Sequence, residues 1–163
     1  MYMKKFTKAF TLIELLIVIA LLGALAIGLL AALDPFEQFK KGRDTGIRNT
    51  VSELHGGFVR YYAIKNQMPY LSTISGGANE GANSAYIVSI VDTGELKTDF
   101  MKLAEDQLQY IYLNGTIETI TSCFQPQSKS FRSDPNTKFT ATGGEAGTGC
   151  PNAAATTCYW CVR

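Results

Sequence analysis

The chain of 163 residues contains a single histidine, His55, which lies in a segment with helical periodicity. A Ser-His-Asp catalytic set cannot be argued from one such histidine, and no glycine-rich phosphate loop is present. The acidic residues of the middle region lack the spacing of an EF-hand calcium loop; they are Asp92, Glu95, Asp99, Glu105 and Asp106. The sequence therefore predicts a protein that is not an enzyme and has no cofactor or metal.

The chain also lacks a strong charge of either sign. Lys and Arg together number 15, Asp and Glu number 14, and no basic run occurs after the first eight residues. Nucleic-acid-binding domains usually carry a basic face, so nucleic acid is not indicated as a partner, although it is not excluded. Charged residues make up 18% of the chain and aromatics 11%, which indicates a folded protein with one small globular domain.

The four cysteines fall in a C-terminal region that is rich in turn-forming residues. An even number in this setting predicts disulfides and an oxidising compartment. A zinc site is disfavoured because the chain has one Cys-x-x-Cys pair and His55 lies far upstream. Residues three apart on a strand point to opposite faces, so Cys158 with Cys161 is the least favoured pair. We expect Cys123 to pair with Cys161 and Cys150 with Cys158.

An apolar segment near the N-terminus is long enough to cross a membrane. Three lysines (Lys4, Lys5 and Lys8) precede it, and no charged residue occurs from Leu15 to Leu33. These 19 residues are close to the roughly 20 that a membrane helix needs. Glu14 stands at the start of the segment, where an ionised carboxylate costs several kcal/mol unless something neutralises it.

Two common kinds of segment would explain the apolar run without using Glu14. One is a secretory signal peptide cut after Ala24–Ala26, which would leave Ile27 as the mature N-terminus, and the other is a simple signal anchor. The run is longer than the 7 to 15 apolar residues of a typical signal peptide. Neither kind of segment has a use for the carboxylate.

The stretch "KAFTLIELLIVIALLGALA" resembles the N-terminus of type IV prepilins and pseudopilins. The resemblance implies that prepilin peptidase cleaves between Ala9 and Phe10 on the cytoplasmic side and N-methylates Phe10. Ala9 stands where the family usually has glycine. Glu14 becomes the fifth residue of the mature chain, where the family carries a glutamate that attracts the N-terminal amine of a neighbouring subunit in the filament.

The resemblance also implies partners and a location. The precursor is expected in the inner or cytoplasmic membrane as a single-pass protein, from which the pilus assembly platform extracts it into a helical homo-oligomeric filament at the cell surface. A pilin serving adhesion, twitching motility or DNA uptake is the first hypothesis, and a pseudopilin of a type II secretion or competence system is the alternative. A third, from another class, is a membrane-anchored or secreted binding domain that never polymerises.

The pattern after the membrane segment predicts an α+β fold, in which a long N-terminal helix packs against a small antiparallel sheet. The expected organisation is a leader over 1–9, a membrane and filament-core helix over 10–33, an amphipathic helix over 34–65 and a head over 66–163. Within that head, 66–107 is expected to be mainly a loop region, with a short helix in "ELKTDFMKLAED", and 108–163 to form the sheet. Asp34-Pro35 permits either a kink or a break and restart of the helix.

Two finer features follow from residue spacing. Apolar residues recur at spacings of three and four in the second helix, at Ile47, Val51, Leu54, Phe58 and Tyr61. The charged residues are assigned to its other faces; they are Arg43, Asp44, Arg48, Glu53 and Arg60. Asn114-Gly115 lies between two β-rich runs and predicts a two-residue hairpin turn.

Overall fold

The structure is a computed structural model that describes residues 10–32 and 34–163. The chain divides into two compact units, Met1–Phe36 and Glu37–Arg163, and we call the second unit the head. The predicted leader over 1–9, including Ala9, lies outside the described residues.

Helix α1, Leu12–Ala32, occupies most of the described part of the first unit. Its leucine, isoleucine and alanine residues are compatible with a helix, and its apolar side chains surround the axis on every side. Asp34 is not helical, and the next helix, α2, begins at Pro35. Proline suits the first position of a helix because its missing N–H would have no partner there. The structure thus has a break and restart at Asp34-Pro35.

Helix α2, Pro35–Lys65, contributes one face to the core of the head. Ile47, Val51, Leu54 and Phe58 are buried, as the apolar spacing predicted, and Tyr61 is partly buried against the same core. The assignment of Asp44 to another face was wrong, because Asp44 is fully buried. It precedes Ile47 by three residues and therefore lies on the apolar stripe itself.

The sheet has four antiparallel strands in sequence order: β1 Ile74–Gly77, β2 Ile111–Thr116, β3 Thr119–Phe124 and β4 Trp160–Val162. One hydrophobic cluster joins buried residues of α2 to Ile111, Leu113, Ile120 and Phe124 of the sheet. The α+β fold with an antiparallel sheet and a long N-terminal apolar helix is therefore confirmed.

The hairpin between β2 and β3 turns three residues later than the sequence predicted. Asn114 and Gly115 lie within β2, opposite Thr121 and Ile120, and the turn is at Ile117 and Glu118. A turn at Asn114-Gly115 would place Glu118 opposite the fully buried Ile111. The observed register places Phe124 there instead, so core burial outweighs the local turn preference.

The segment 66–107, expected to be mainly a loop, contains regular structure. It includes β1, helix α3 Gly81–Asp92 and most of helix α4 Phe100–Leu108, the last of which was expected as a short helix. Ile87 and Ile90 of α3 are buried, and the buried Asn83 side chain donates a hydrogen bond of 3.0 Å to the Gly77 carbonyl. These tertiary contacts order a glycine- and asparagine-rich stretch that local composition assigns to a loop.

Two disulfides fix the C-terminal region, Cys123–Cys161 and Cys150–Cys158. They are the pairs that the sequence favoured. Cys123 and Cys161 are opposite each other on β3 and β4. Between β3 and β4 the chain forms a short helix, α5 Lys129–Arg132, and irregular segments.

Candidate assembly site in the N-terminal helix

The first turn of α1 contains a reciprocal hydrogen-bonded cap between Thr11 and Glu14. The Thr11 backbone N–H and hydroxyl donate to Glu14 Oε2 at 2.8 and 2.9 Å, and the Glu14 backbone N–H donates to Thr11 Oγ1 at 3.3 Å. This is a capping box, which satisfies amide groups that a helix N-terminus leaves without partners. Sequence reasoning missed Thr11, although the Thr-x-x-Glu spacing before an apolar run was the available signal.

The capping box gives Glu14 a role within its own chain. Both of its Thr11 bonds use one carboxylate oxygen, and a carboxylate can accept several donors, so a further donor can be accommodated. Phe10, the predicted mature N-terminus, is 84% exposed and lies one helical turn before Glu14. The arrangement therefore presents an acidic group and the proposed amine position at the same end of α1.

The side of α1 is an exposed apolar surface. The 19 residues Leu12–Leu30 form a helix long and apolar enough to cross a membrane, and it is the one such helix in the described ranges. None of that stretch is buried, and its leucine and isoleucine side chains are about half exposed or more. A surface of this kind needs a lipid or protein environment to cover it.

The head contains a buried carboxylate that joins α2 to the loop after β3. Asp44 accepts hydrogen bonds from the backbone N–H of Gln127 at 3.1 Å and of Ser128 at 2.7 Å, and from the Ser128 hydroxyl at 2.6 Å. Ser128 in turn caps α5 through its hydroxyl. These bonds compensate for burying the carboxylate, so Asp44 is a structural residue of the head.

Two further buried groups show what burial does to titration in the head. Burial lowers the pKa of His55, whose Nδ1 has no hydrogen-bond partner within the described structure. Burial also raises the pKa of Tyr70 to about 12, and its hydroxyl donates to the Thr119 carbonyl at 3.0 Å. Within residues 10–32 and 34–163, no group of three or more His, Cys, Asp or Glu side chains could hold a metal ion.

Comparison with known families identifies the N-terminal segment. A family model, the prokaryotic N-terminal methylation motif, matches residues 4–30, which include Phe10, Thr11 and Glu14. The chain carries the type IV pilin and pseudopilin signature. Neither curated proteins nor solved structures gave a match to the chain.

The motif has consequences at a general level. It implies processing by prepilin peptidase and assembly through pilin–pilin contacts, and it implies a structural subunit and not an enzyme. Together with the apolar α1, it fits a membrane-anchored, pilin-like precursor. Cleavage between Ala9 and Phe10 and the role of Glu14 between subunits remain predictions.

Proposed function

We propose that this chain is a type IV pilin, a structural subunit that polymerises through α1 into an extracellular filament. The observation that carries the proposal is the exposed apolar α1, most of which lies within the methylation motif, with Glu14 at its first turn. In the precursor, lipid covers this surface. In the filament, the α1 helices of neighbouring subunits cover one another, which removes the same apolar area from water.

Glu14 has two roles in this proposal. Within its chain it caps α1 through Thr11, and between chains it accepts the Phe10 amine of a neighbour. Both charges are then in an apolar bundle, where a charged group without a partner is costly and a matched pair fixes the register of the subunits. The pairing favours one axial arrangement over others.

Substitutions at Glu14 separate the two roles. Glutamine can also form a capping box, so Glu14→Gln should keep α1 capped and the precursor inserted while removing the charge. We expect Glu14→Gln and Glu14→Leu to abolish filaments, as measured by electron microscopy and by the yield of sheared surface protein. Thr11→Ala removes the hydroxyl from the capping box and retains the carboxylate, so we expect this variant to assemble.

The controls make the outcome interpretable. Membrane flotation and non-reducing electrophoresis should show that each variant is inserted and disulfide-bonded before its assembly is judged. Normal filaments from Glu14→Gln would show that capping, and not charge, is what the glutamate supplies. Filaments from none of the chains, including the wild type, would instead favour the non-polymerising binding domain.

The alternative within the same class is a pseudopilin of a type II secretion or competence system. A pseudopilin would share the motif and the exposed α1, so the two functions are distinguished by the amount of protein in surface filaments. A pilin should be abundant in the sheared surface fraction, whereas a pseudopilin should remain with the cell envelope at its natural expression level.

A further inference from the structure

The head carries a cluster of basic side chains at the place where the chain enters it. Lys40, Lys41 and Arg43 lie in the early turns of α2, and all three are exposed. Lys129, the first residue of α5, is exposed as well. We call these four residues the basic patch.

Two carboxylates of α2 bring the distant Lys129 to this place. Glu37 accepts a hydrogen bond from the Lys129 backbone N–H, and buried Asp44 holds Gln127 and Ser128. Glu37 and Asp44 are seven residues apart and lie on one side of the helix. Lys40 and Lys41 lie between these two anchors, so the fold adds Lys129 to the three cations that α2 carries close together in sequence.

The patch retains an excess of positive charge. Its nearest carboxylate, Glu37, lies 4.0 Å from Lys40 Nζ and has an 18% exposed side chain. The neighbouring acidic residues along the chain are Asp34, which precedes α2, and the buried Asp44. The Arg43 guanidinium lies 4.1 Å from the centre of the Tyr110 ring, a contact that positions its charge without neutralising it. The four cations of the patch thus outnumber Glu37 and Asp44, the two carboxylates of α2 that anchor it.

An exposed aromatic side chain precedes Arg43 by four residues, which places it on the same face of α2, and it is close in sequence to the membrane segment. Phe39 is 77% exposed and lies nine positions after Leu30, the end of the stretch able to cross a membrane. Nine residues reach at most about 30 Å, so Phe39 always stays within about 30 Å of the end of that stretch. Aromatic rings and lysines are the side chains that favour the headgroup region of a bilayer.

We propose that the basic patch and Phe39 bind anionic lipid headgroups at the surface of the membrane in which the precursor is anchored. The inference rests on the membrane anchoring of the proposed function, but not on polymerisation. The short connection to α1 keeps the local concentration of lipid phosphate high, which favours lipid over dissolved polyanions such as nucleic acid. Phe39 supplies apolar contact below the headgroups, and the cations bind the phosphates.

A tryptophan placed at residue 39 tests the proposal in the full-length protein. Phe39→Trp is reconstituted into vesicles of phosphatidylcholine, with or without phosphatidylglycerol. The quenching of its tryptophan fluorescence by brominated lipids is then measured. Wild-type protein supplies the background from Trp160, which is buried. We expect stronger quenching when phosphatidylglycerol is present, and loss of that difference at about 1 M salt, where charges are screened beyond about 3 Å.

Charge removal identifies the groups responsible. Lys40→Gln and Lys41→Gln are added to Phe39→Trp, and the ratio of the lipid-bound to the unbound state of the patch in anionic vesicles is obtained from the quenching. This ratio should fall about fivefold for each lysine removed. The matched control is Lys97→Gln with Lys102→Gln, two exposed lysines in and just before α4, which should leave the quenching unchanged. Leu71→Trp, at a residue that is 89% exposed, should not be quenched.

Several results would overturn the proposal. Equal quenching of Phe39→Trp in both kinds of vesicle would show that anionic headgroups are not recognised. If the control lysine substitutions reduced the quenching equally, the effect would come from the net charge of the protein and not from the patch. Displacement of residue 39 from vesicles by short duplex DNA would assign the patch to nucleic-acid phosphate. If the wild type failed to float with vesicles, the membrane anchoring on which this inference rests would be wrong. Filament formation is measured in a separate experiment, so the failure of one proposal can be told from the failure of the other.

Discussion

Buried polar side chains decide much of the behaviour of the head at the scale of single residues. Asp44 is fully buried and has three donors, whereas His55 is buried with one ring nitrogen lacking a partner in the described structure. A buried group with its hydrogen bonds made stabilises a fold, and one without them costs free energy whenever it must become charged. Protonation of His55 should therefore destabilise the head.

His55 predicts a loss of head stability on acidification. Burial lowers its pKa in the folded head below the ordinary value of about 6.5, so the unfolded chain binds the proton more readily. The free energy of unfolding should then fall as pH decreases through about 6.5, while above that pH the histidine has no effect. Urea titrations of detergent-solubilised protein, followed by Trp160 fluorescence, measure the change.

The variant His55→Gln isolates this contribution from that of the carboxylates. The difference in unfolding free energy between wild type and His55→Gln should be constant above pH 7 and shift in favour of the variant below pH 6. A difference that does not vary with pH would show that His55 does not titrate as its burial indicates.

At the scale of elements, a close contact between a loop residue and the hairpin explains the glycine inside β2. Gly115 lies in β2 opposite Ile120, and the Tyr70 hydroxyl lies over it while donating to the Thr119 carbonyl. A Cβ at residue 115 would be 2.5 Å from both the Tyr70 hydroxyl and the Thr119 oxygen. The glycine is therefore required by the approach of Tyr70 and not by a turn.

Gly115→Ala should destabilise the head by about 1–3 kcal/mol because the added methyl group forces Tyr70 or β3 to move. Gly149→Ala is the matched control, since a Cβ there meets no atom within 4 Å, and its effect should stay within about 0.5 kcal/mol. Equal urea midpoints for the two variants would contradict the packing explanation. Adding Tyr70→Phe to Gly115→Ala should restore part of the lost stability, because it removes the hydroxyl that the new Cβ would meet. If Gly115 were instead a turn residue needed for flexibility, Tyr70→Phe would restore none of it.

At the scale of the whole molecule, the two units have opposite relations to water. The head encloses its own core, whereas the apolar side chains of α1 are exposed along the helix. The first unit thus needs lipid or other subunits around it. The position of its N-terminal amine depends on where the chain is cut.

The mature N-terminus is the corresponding prediction. We expect mass spectrometry of protein from cells with prepilin peptidase to find N-methylated Phe10, and from cells without it to find the uncleaved chain. Ala9→Gly should be processed at least as completely as the wild type, because glycine is the usual residue before the cut. A chain beginning at Ile27 would instead show an ordinary signal peptide.

Patterns confined to a few neighbouring residues were predictable from the sequence. The apolar α1, the buried stripe of α2 and the α+β class follow from periodicity, and Glu14 was identified from its place in a motif. Strand geometry disfavoured only Cys158 with Cys161, and the pairs expected from the sequence are those in the structure. The capping partner Thr11 was equally local and could have been identified from its spacing to Glu14.

The sequence by itself determined what depends on local order: an apolar helix with an acid at its start, an amphipathic helix and a cysteine-linked β region. Only the tertiary structure decided the positions of the hairpin turn, β1 and α3, the burial of Asp44 and the grouping of Lys129 with Lys40 and Lys41. Asp44 binds residues more than 80 positions away, and the hairpin register is set by which side chains fill the core. Such choices depend on partners that no short window of sequence contains.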